Sequence, residues 1–210
     1  MFMEAVVSWG EIGEMTRAIG PAVTAGAACA GALIAYRGLE KWRHETIGRK
    51  RIELAEDVLA DFYEAVDVIQ FVRVGFSYFR DNESRPGRDQ EPENVQNHRD
   101  QYYATERRLK DQAAFFAKFQ SRRYRVIAVF GTEASKLYEE VIGIHNLLFT
   151  ALIALTSMSP LQMSIQGKER RDKSQLIIWG GEPDEIKTKL DMLILRVEKT
   201  FRHEAAKGRR

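Results

Sequence analysis

Residues 55–79, AEDVLADFYEAVDVIQFVRVGFSYF, carry apolar side chains alternately three and four residues apart: Ala55, Val58, Phe62, Ala65, Ile69, Val72, Phe76 and Phe79. That spacing lays one continuous apolar seam along one side of an α-helix and suits knobs-into-holes packing against other helices. Glu53, Glu56, Asp57, Asp61, Glu64 and Asp67 fall off the seam, and no Lys or Arg interrupts them between Ile52 and Val72. A cation could be imagined at Asp57, Asp61 and Glu64, spaced four and three, but calcium and magnesium require more oxygen ligands in a tighter arrangement. A solvated or ion-paired face is expected instead, with partners on the basic stretch that holds Arg107, Arg108, Lys110, Lys118, Arg122, Arg123 and Arg125.

Downstream, residues 81–97 (DNESRPGRDQEPENVQN) contain Pro86, Gly87 and Pro92 and almost nothing apolar, so they read as a flexible loop. A helix is expected to resume near His98 and run towards Phe130, with Tyr102, Leu109, Ala113, Phe116, Phe119, Ile127 and Phe130 as its apolar residues. Gly131 breaks it, and Thr132 caps the next helix. There the three-and-four seam returns through Ala134, Leu137, Val141, Ile144, Leu148, Ala151 and Leu155, and Pro160 ends it.

This helix has no formal charge from Val141 to Gly167 if His145 is neutral. Its densely apolar part, Leu147 to Met158, is nevertheless short for a membrane crossing. A crossing would also place Lys168, Arg170, Arg171 and Lys173 outside, against the positive-inside rule, so a central core helix is expected. Residues 159–182 join a charged run (KERRDK, 168–173) to a short apolar one (QLIIWGG, 175–181). Ile177, Ile178 and Trp179 are expected to close one end of the core, and Gly180 and Gly181 to form a turn. The last helix is expected to start with Pro183 in its first position, with Asp184 and Glu185 suited to the positive end of the dipole. Ile186, Leu190, Leu193 and Val197 form its seam with Phe201 beside it, and Lys207, Arg209 and Arg210 suit its C-terminal end.

Upstream of residue 55 the seam fails, because Arg51, Gly48, His44 and Lys41 take its positions. Residues 37–54 therefore read as an exposed basic neck. Before the neck, residues 18–36 (AIGPAVTAGAACAGALIAY) carry no charge at all. As a helix they reach about 28 Å, close to the roughly 30 Å hydrocarbon core of a bilayer. Glu4, Glu11 and Glu14 outweigh Arg17 before the stretch, whereas Arg37, Lys41, Arg43, Arg49, Lys50 and Arg51 follow it, opposed by Glu40 and Glu45. Basic flanks stay cytoplasmic, so the expected topology is a single pass through the cell inner membrane, N-terminus out and C-terminal domain cytoplasmic.

The residues expected at the membrane interface are Tyr36, Arg37, Lys41, Trp42, Arg43, Arg49, Lys50 and Arg51, with anionic lipid headgroups as partner at about 1 kcal/mol per cation. Pro21 suits a first helical turn. Gly20 with Thr24, Gly26 with Ala30 and Ala27 with Gly31 form small-xxx-small pairs that permit close helix approach; an Ala-rich stretch also produces such pairs by chance. Two other readings stand beside the anchor. A cleaved signal peptide wants a basic start, and this one is acidic. A soluble, buried Ala-rich helix fits the shortage of strongly apolar residues, which are only Ile19, Val23, Leu33 and Ile34. Residues 1–17 could form a short amphipathic helix with Phe2, Ala5, Val6, Trp9 and Ile12 on one face.

The totals set few bounds on function. The chain has 210 residues, 44% hydrophobic, a net charge of +2 and a single cysteine, Cys29, so no internal disulfide forms. The residues three before His44, His98, His145 and His203 are Lys41, Val95, Ile142 and Thr200, which excludes the Glu-x-x-His repeats of a di-iron bundle. Neither a Gly-rich phosphate loop nor an HExxH zinc motif occurs. Basic patches at 37–51, 118–125 (KFQSRRYR), 168–173 and 207–210, with Trp42, Phe119 and Tyr124 among them, make nucleic-acid binding conceivable. His145 and Asn146 interrupt an apolar helix and could hold a ligand.

The expected fold is all-α: an antiparallel helical bundle of about four helices with coiled-coil-like seams, preceded by one N-terminal transmembrane helix. Its expected parts are residues 1–17, the span 18–36, the neck 37–54 and a cytoplasmic bundle at 55–207 with its loop at 81–97. The expected function is non-enzymatic: a scaffold or interaction module at the cytoplasmic membrane surface, without cofactor or metal. Its partners would be membrane lipid, an unknown protein and possible further copies of the chain. The alternatives are a soluble or peripheral basic bundle on nucleic acid, and a ligand-binding bundle built on His145 and Asn146.

Overall fold

The computed structural model describes residues 9–75, 84–157 and 164–206, with the side chains of the first helix described from Gly20 onward, Ala22 excepted. The described residues are all-helical, without a strand. Six α-helices follow one another: α1 (Trp9–Val72), α2 (Glu93–Asp111), α3 (Ala113–Phe130), α4 (Thr132–Ser157), α5 (Ile165–Trp179) and α6 (Glu185–Ala206), with a 3-10 turn at Arg88–Gln90 before α2. The chain divides into two compact units, Met1–Lys50 and Arg51–Arg210. The division falls inside the stretch 37–54 expected as the neck.

The first unit contains the part of α1 that ends at Lys50, and its described side chains are mostly exposed. Pro21 lies inside this helix rather than in its first turn, because the helix already begins at Trp9. Proline there leaves the carbonyl four residues earlier without its N–H partner. Thr24 Oγ1 donates to the Gly20 carbonyl oxygen at 2.9 Å. The amphipathic face proposed for residues 1–17 lies outside the described side chains.

In the second unit the three-and-four seams are the core. Ala55, Val58, Phe62, Ala65, Ile69 and Val72 of α1 are buried, as are all seven seam residues of α4 from Ala134 to Leu155. Ile186, Leu190, Leu193, Val197 and Phe201 of α6 are buried with them. The larger core cluster draws on α1, α3, α4 and α6. Phe62 sits at its centre, edge-on to Phe119 (5.1 Å between centroids) and to Tyr138 (4.7 Å). A second cluster joins Val72, Tyr102, Leu109, Ala151, Leu152, Leu155 and Ile178. Trp179 stacks on Tyr102 at 5.3 Å, so the 177–179 run does close one end of the core. Phe76, Phe79, Pro160, Lys207, Arg209 and Arg210 lie outside the described residues.

Four local features differ from the expectations. The helix expected from His98 to Phe130 begins at Glu93 and is interrupted at Gln112, which ends α2 and opens α3. Ala113, expected on the apolar side there, is exposed. Residues 165–179 are helix α5, N-capped by Ser164, whose side chain accepts from the Gly167 N–H at 3.1 Å. The charged run 168–173 thus sits on a helix that its composition does not announce. The last helix starts at Glu185, and its cap is Asp184, whose Oδ1 accepts from the N–H groups of Ile186 and Lys187 at 3.1 Å each. The same oxygen binds the Arg73 guanidinium at 2.9 Å, and Arg73 Nε donates to the Ile177 carbonyl at 3.0 Å. Arg73 is buried, so this link joins the end of α1 to α5 and the start of α6 where no apolar residue would serve a buried charge.

The fourth difference is the segment 81–97. Residues 81–83 are outside the described region. From Ser84 on, the chain is held by charge. Arg85 and Asp100 are both buried; Arg85 donates to Asp100 Oδ1 at 2.8 Å and to both Glu91 oxygens, at 3.1 and 2.6 Å. Arg88 reaches the other Asp100 oxygen at 2.8 Å, and Arg99 binds Glu91. Gly87 adopts the left-handed conformation (φ 76°) that opens the 3-10 turn. A stretch with almost nothing apolar is therefore organised by a compact group of paired, charge-assisted hydrogen bonds.

Candidate functional site

The eight residues expected at a membrane interface lie on α1, and all are exposed. Tyr36 and Trp42 retain 66% and 63% of their surface, so neither is absorbed into a protein core. Lys41 pairs loosely with Glu45 at 3.8 Å. Arg51 stands apart from the others. It falls in the second unit, its Nε donates to Glu204 Oε2 at 2.9 Å, and its guanidinium lies 5.0 Å over the Phe130 ring. Its position in the seam register is occupied, but by a cation engaged with α3 and α6 rather than by an apolar side chain.

Of the cations expected to meet the acidic face of α1, Arg122 reaches it, whereas Arg107, Lys110 and Arg123 pair with Asp111, Glu106 and Glu139. Arg122 Nη1 lies 2.9 Å from Asp61 and 3.6 Å from Asp57. Burial pushes the Asp61 carboxyl above its ordinary range, against the pull of Arg122. Arg123 pairs with Glu139 at 3.2 Å and lies over Tyr124, which is exposed. Two cations of the 118–125 patch are thereby bound within the protein. Among the described residues no three His, Cys, Asp or Glu side chains converge in a way that would hold a metal ion.

His145 and Asn146 are joined by one long hydrogen bond. Asn146 is exposed, and its Oδ1 is 3.4 Å from His145 Nδ1. His145 is half-buried, its ring 4.1 Å from that of Phe116, and it borders a hollow of about 270 Å³ between α4 and the α2–α3 junction. Leu109, Phe149, Leu152 and Ile153 give that hollow its apolar lining. It runs into a second, more polar hollow of about 470 Å³ with Arg85, Arg99, Tyr103 and Ser157 in its wall. Sequence spacing points to His145 but not to this trough, because its two walls come from helices separated by α3.

Charge around Arg85 is strongly coupled. Hydrogen bonds from Arg85, then from Arg99, hold the Glu91 carboxyl below the ordinary carboxylate range despite its desolvation. Hydrogen bonds to Glu91, then to Asp100, hold the Arg85 guanidinium well above its usual value despite its desolvation.

Residues 18–36, expected to span the membrane, lie entirely within α1, and Ala18, Ile19 and Ala22 are outside the described side chains. Among the described residues, one helix is long and apolar enough to cross a membrane by length and composition, and it is α4, Thr132–Ser157. The helix expected to be the core of the body is thus the one that qualifies. Its seam is buried, while Leu147, Phe149 and Ile153 are substantially exposed.

Among the described residues, these features define an all-helical protein with one helix that could span a membrane by length and composition. Comparison with protein-family models, with curated proteins and with solved structures finds no match for the chain.

Proposed function

We propose that this chain is a membrane-anchored, non-enzymatic protein that presents a helical body to partners at the cytoplasmic face of the inner membrane. The observation that carries the reading is the exposure of Val23, Leu33 and Ile34 on a helix that leads directly into exposed Tyr36, Trp42 and the basic neck. Apolar surface left in water costs about 25 cal/mol per Å². Lipid around residues 18–36 removes that cost, and the neck cations then meet anionic headgroups. The positive flank sets the direction, N-terminus out.

The body is read as an antiparallel bundle whose four main members are the lower part of α1, α3, α4 and α6. The single-residue connection Gly131 between α3 and α4 supports antiparallel neighbours there. In this reading α4 is the bundle's core helix, since a bilayer offers no reason for its alternating seam to be buried against three other helices. The surroundings of Gly20, Gly26 and Gly31 are open: a methyl group added at any of them would meet no atom within 4 Å, which leaves each of them uncovered for close approach by a second copy.

Fractionation tests the anchor. The full chain is expected to stay in the membrane pellet through high-salt and alkaline washes and to leave it only with detergent. Release by salt alone would overturn the anchor and favour the nucleic-acid reading. Partners then follow from co-purification out of detergent-solubilised membranes.

A further inference from the structure

We propose that the trough between α2 and α4 is a binding site for a long-chain anionic amphiphile, of the fatty-acid type, with its headgroup at Arg99 and its chain running towards His145. The two hollows share Glu106, Lys110, Ile153 and Thr156, so they form one continuous depression. One wall is Arg99, Tyr103, Glu106, Lys110 and Ala113; the other runs in the opposite sense through Ser157, Ile153, Phe149 and His145. At about 1.5 Å per residue, the path from Arg99 to Ala113 is roughly 20 Å, long enough for an extended acyl chain.

Polarity is graded along that path. The far end is Leu109, Phe149, Leu152 and Ile153, closed by the His145 ring against Phe116. At the mouth stand Arg85 and Arg99, whereas Glu106 and Lys110, paired with each other, line both hollows. Glu91 and Asp100 hold the arginines rigidly but do not line the trough. Arg85 commits its Nε to Asp100 and both terminal nitrogens to Glu91, so the ligand carboxylate falls to Arg99, whose Nη1 binds Glu91 and whose Nε and Nη2 suit bidentate recognition. The combined hollows fall in the size range of small-ligand sites, whereas a partner helix about 10 Å across needs a broader groove. Phe149 and Ile153, about half exposed on the face of α4 opposite its buried seam, are the side chains a bound chain would cover.

The site lies wholly in the second unit and does not depend on where residues 18–36 reside. The test uses the full chain in polymer-bounded lipid discs and a long-chain fatty acid bearing a diazirine in its tail. After illumination and digestion, mass spectrometry should place the label on the peptide containing Phe149 and Ile153. An excess of the unlabelled acid should suppress labelling at least tenfold more effectively than the alcohol of the same chain length. Arg99→Glu should erase that preference for the acid, and Ile153→Trp should abolish labelling while circular dichroism shows native helicity. Label distributed over the exposed faces of other helices, or competition by acid and alcohol alike, would overturn the proposal. So would unchanged preference in Arg99→Glu, which removes a hydrogen bond to Glu91 but no apolar core contact and, with native helicity checked in the same way, remains informative even if Ile153→Trp fails to fold.

Discussion

Gly131 and Gly180 end α3 and α5 in the same backbone conformation, φ 87° with ψ 175° and φ 85° with ψ 176°. That region of backbone space is essentially closed to residues with a Cβ, and forcing one into it costs about 1–3 kcal/mol. A methyl group at Gly131 meets open space, whereas at Gly180 it would lie 2.7 Å from Asp184 Oδ2 and disturb the Arg73 link. Gly131→Ala is therefore expected to lose about 1–3 kcal/mol in denaturant unfolding, and Gly180→Ala to lose more. Equal stability of Gly180→Ala and the parent would contradict the account of that corner. The sequence marks both glycines as breaks, but only the assembled fold shows that one of them abuts a buried ion pair.

Glu91 carries a second expectation at this scale. Its folded carboxyl is held below the ordinary value of 4.5 by Arg85 and Arg99, so near and below that value the unfolded chain binds protons that the folded chain does not. Stability from Glu91 is then fully present above pH 4.5 and is lost as the pH falls through the lowered value. Protection factors for hydrogen exchange at residues 85–100, corrected for the intrinsic pH dependence of amide exchange, should fall on acidification across that window. Glu91→Gln should exchange faster at neutral pH and show a flatter acid response; an identical acid response would contradict the role given to this carboxylate.

At the scale of elements, the helices legible in the sequence are those whose seam is periodic: α1 from Ala55, α4 and α6. Burial of each seam residue follows from one spatial repeat, and no partner need be known to read it. Helix α5 escapes such a reading because only Ser174 and Ile178 of its residues are buried, so hardly any apolar repeat marks it. The 84–100 segment escapes it for a different reason. Its order rests on which carboxylate meets which guanidinium, and a composition rich in charge reads the same whether those pairs form or not.

Helix α4 separates two physical readings that hydropathy alone leaves together. Leu148 is 2% exposed and Phe149 48% exposed on adjacent positions. If α4 is the core of a water-soluble body, Leu148→Asp buries an unpaired charge and should cost about 4 kcal/mol or more, while Phe149→Asp should cost about 1 kcal/mol or less. Chemical denaturation followed by circular dichroism measures both. If α4 crossed a bilayer, Phe149 would face lipid and its charge would be the more damaging of the two.

For the whole molecule, the central claim is a single crossing by residues 18–36 that leaves the helical body in the cytoplasm. The chain offers a clean way to measure it, because Cys29 is its only cysteine. In a Cys29→Ala background, one new cysteine is placed before the span (Ser8→Cys) or on the exposed surface of α3 (Ser121→Cys), and intact cells are treated with a membrane-impermeant maleimide. Labelling of Ser8→Cys in intact cells, with Ser121→Cys labelled only after the membrane is permeabilised, is the predicted result. Labelling of Ser121→Cys from outside, or protection of Ser8→Cys until permeabilisation, would contradict it.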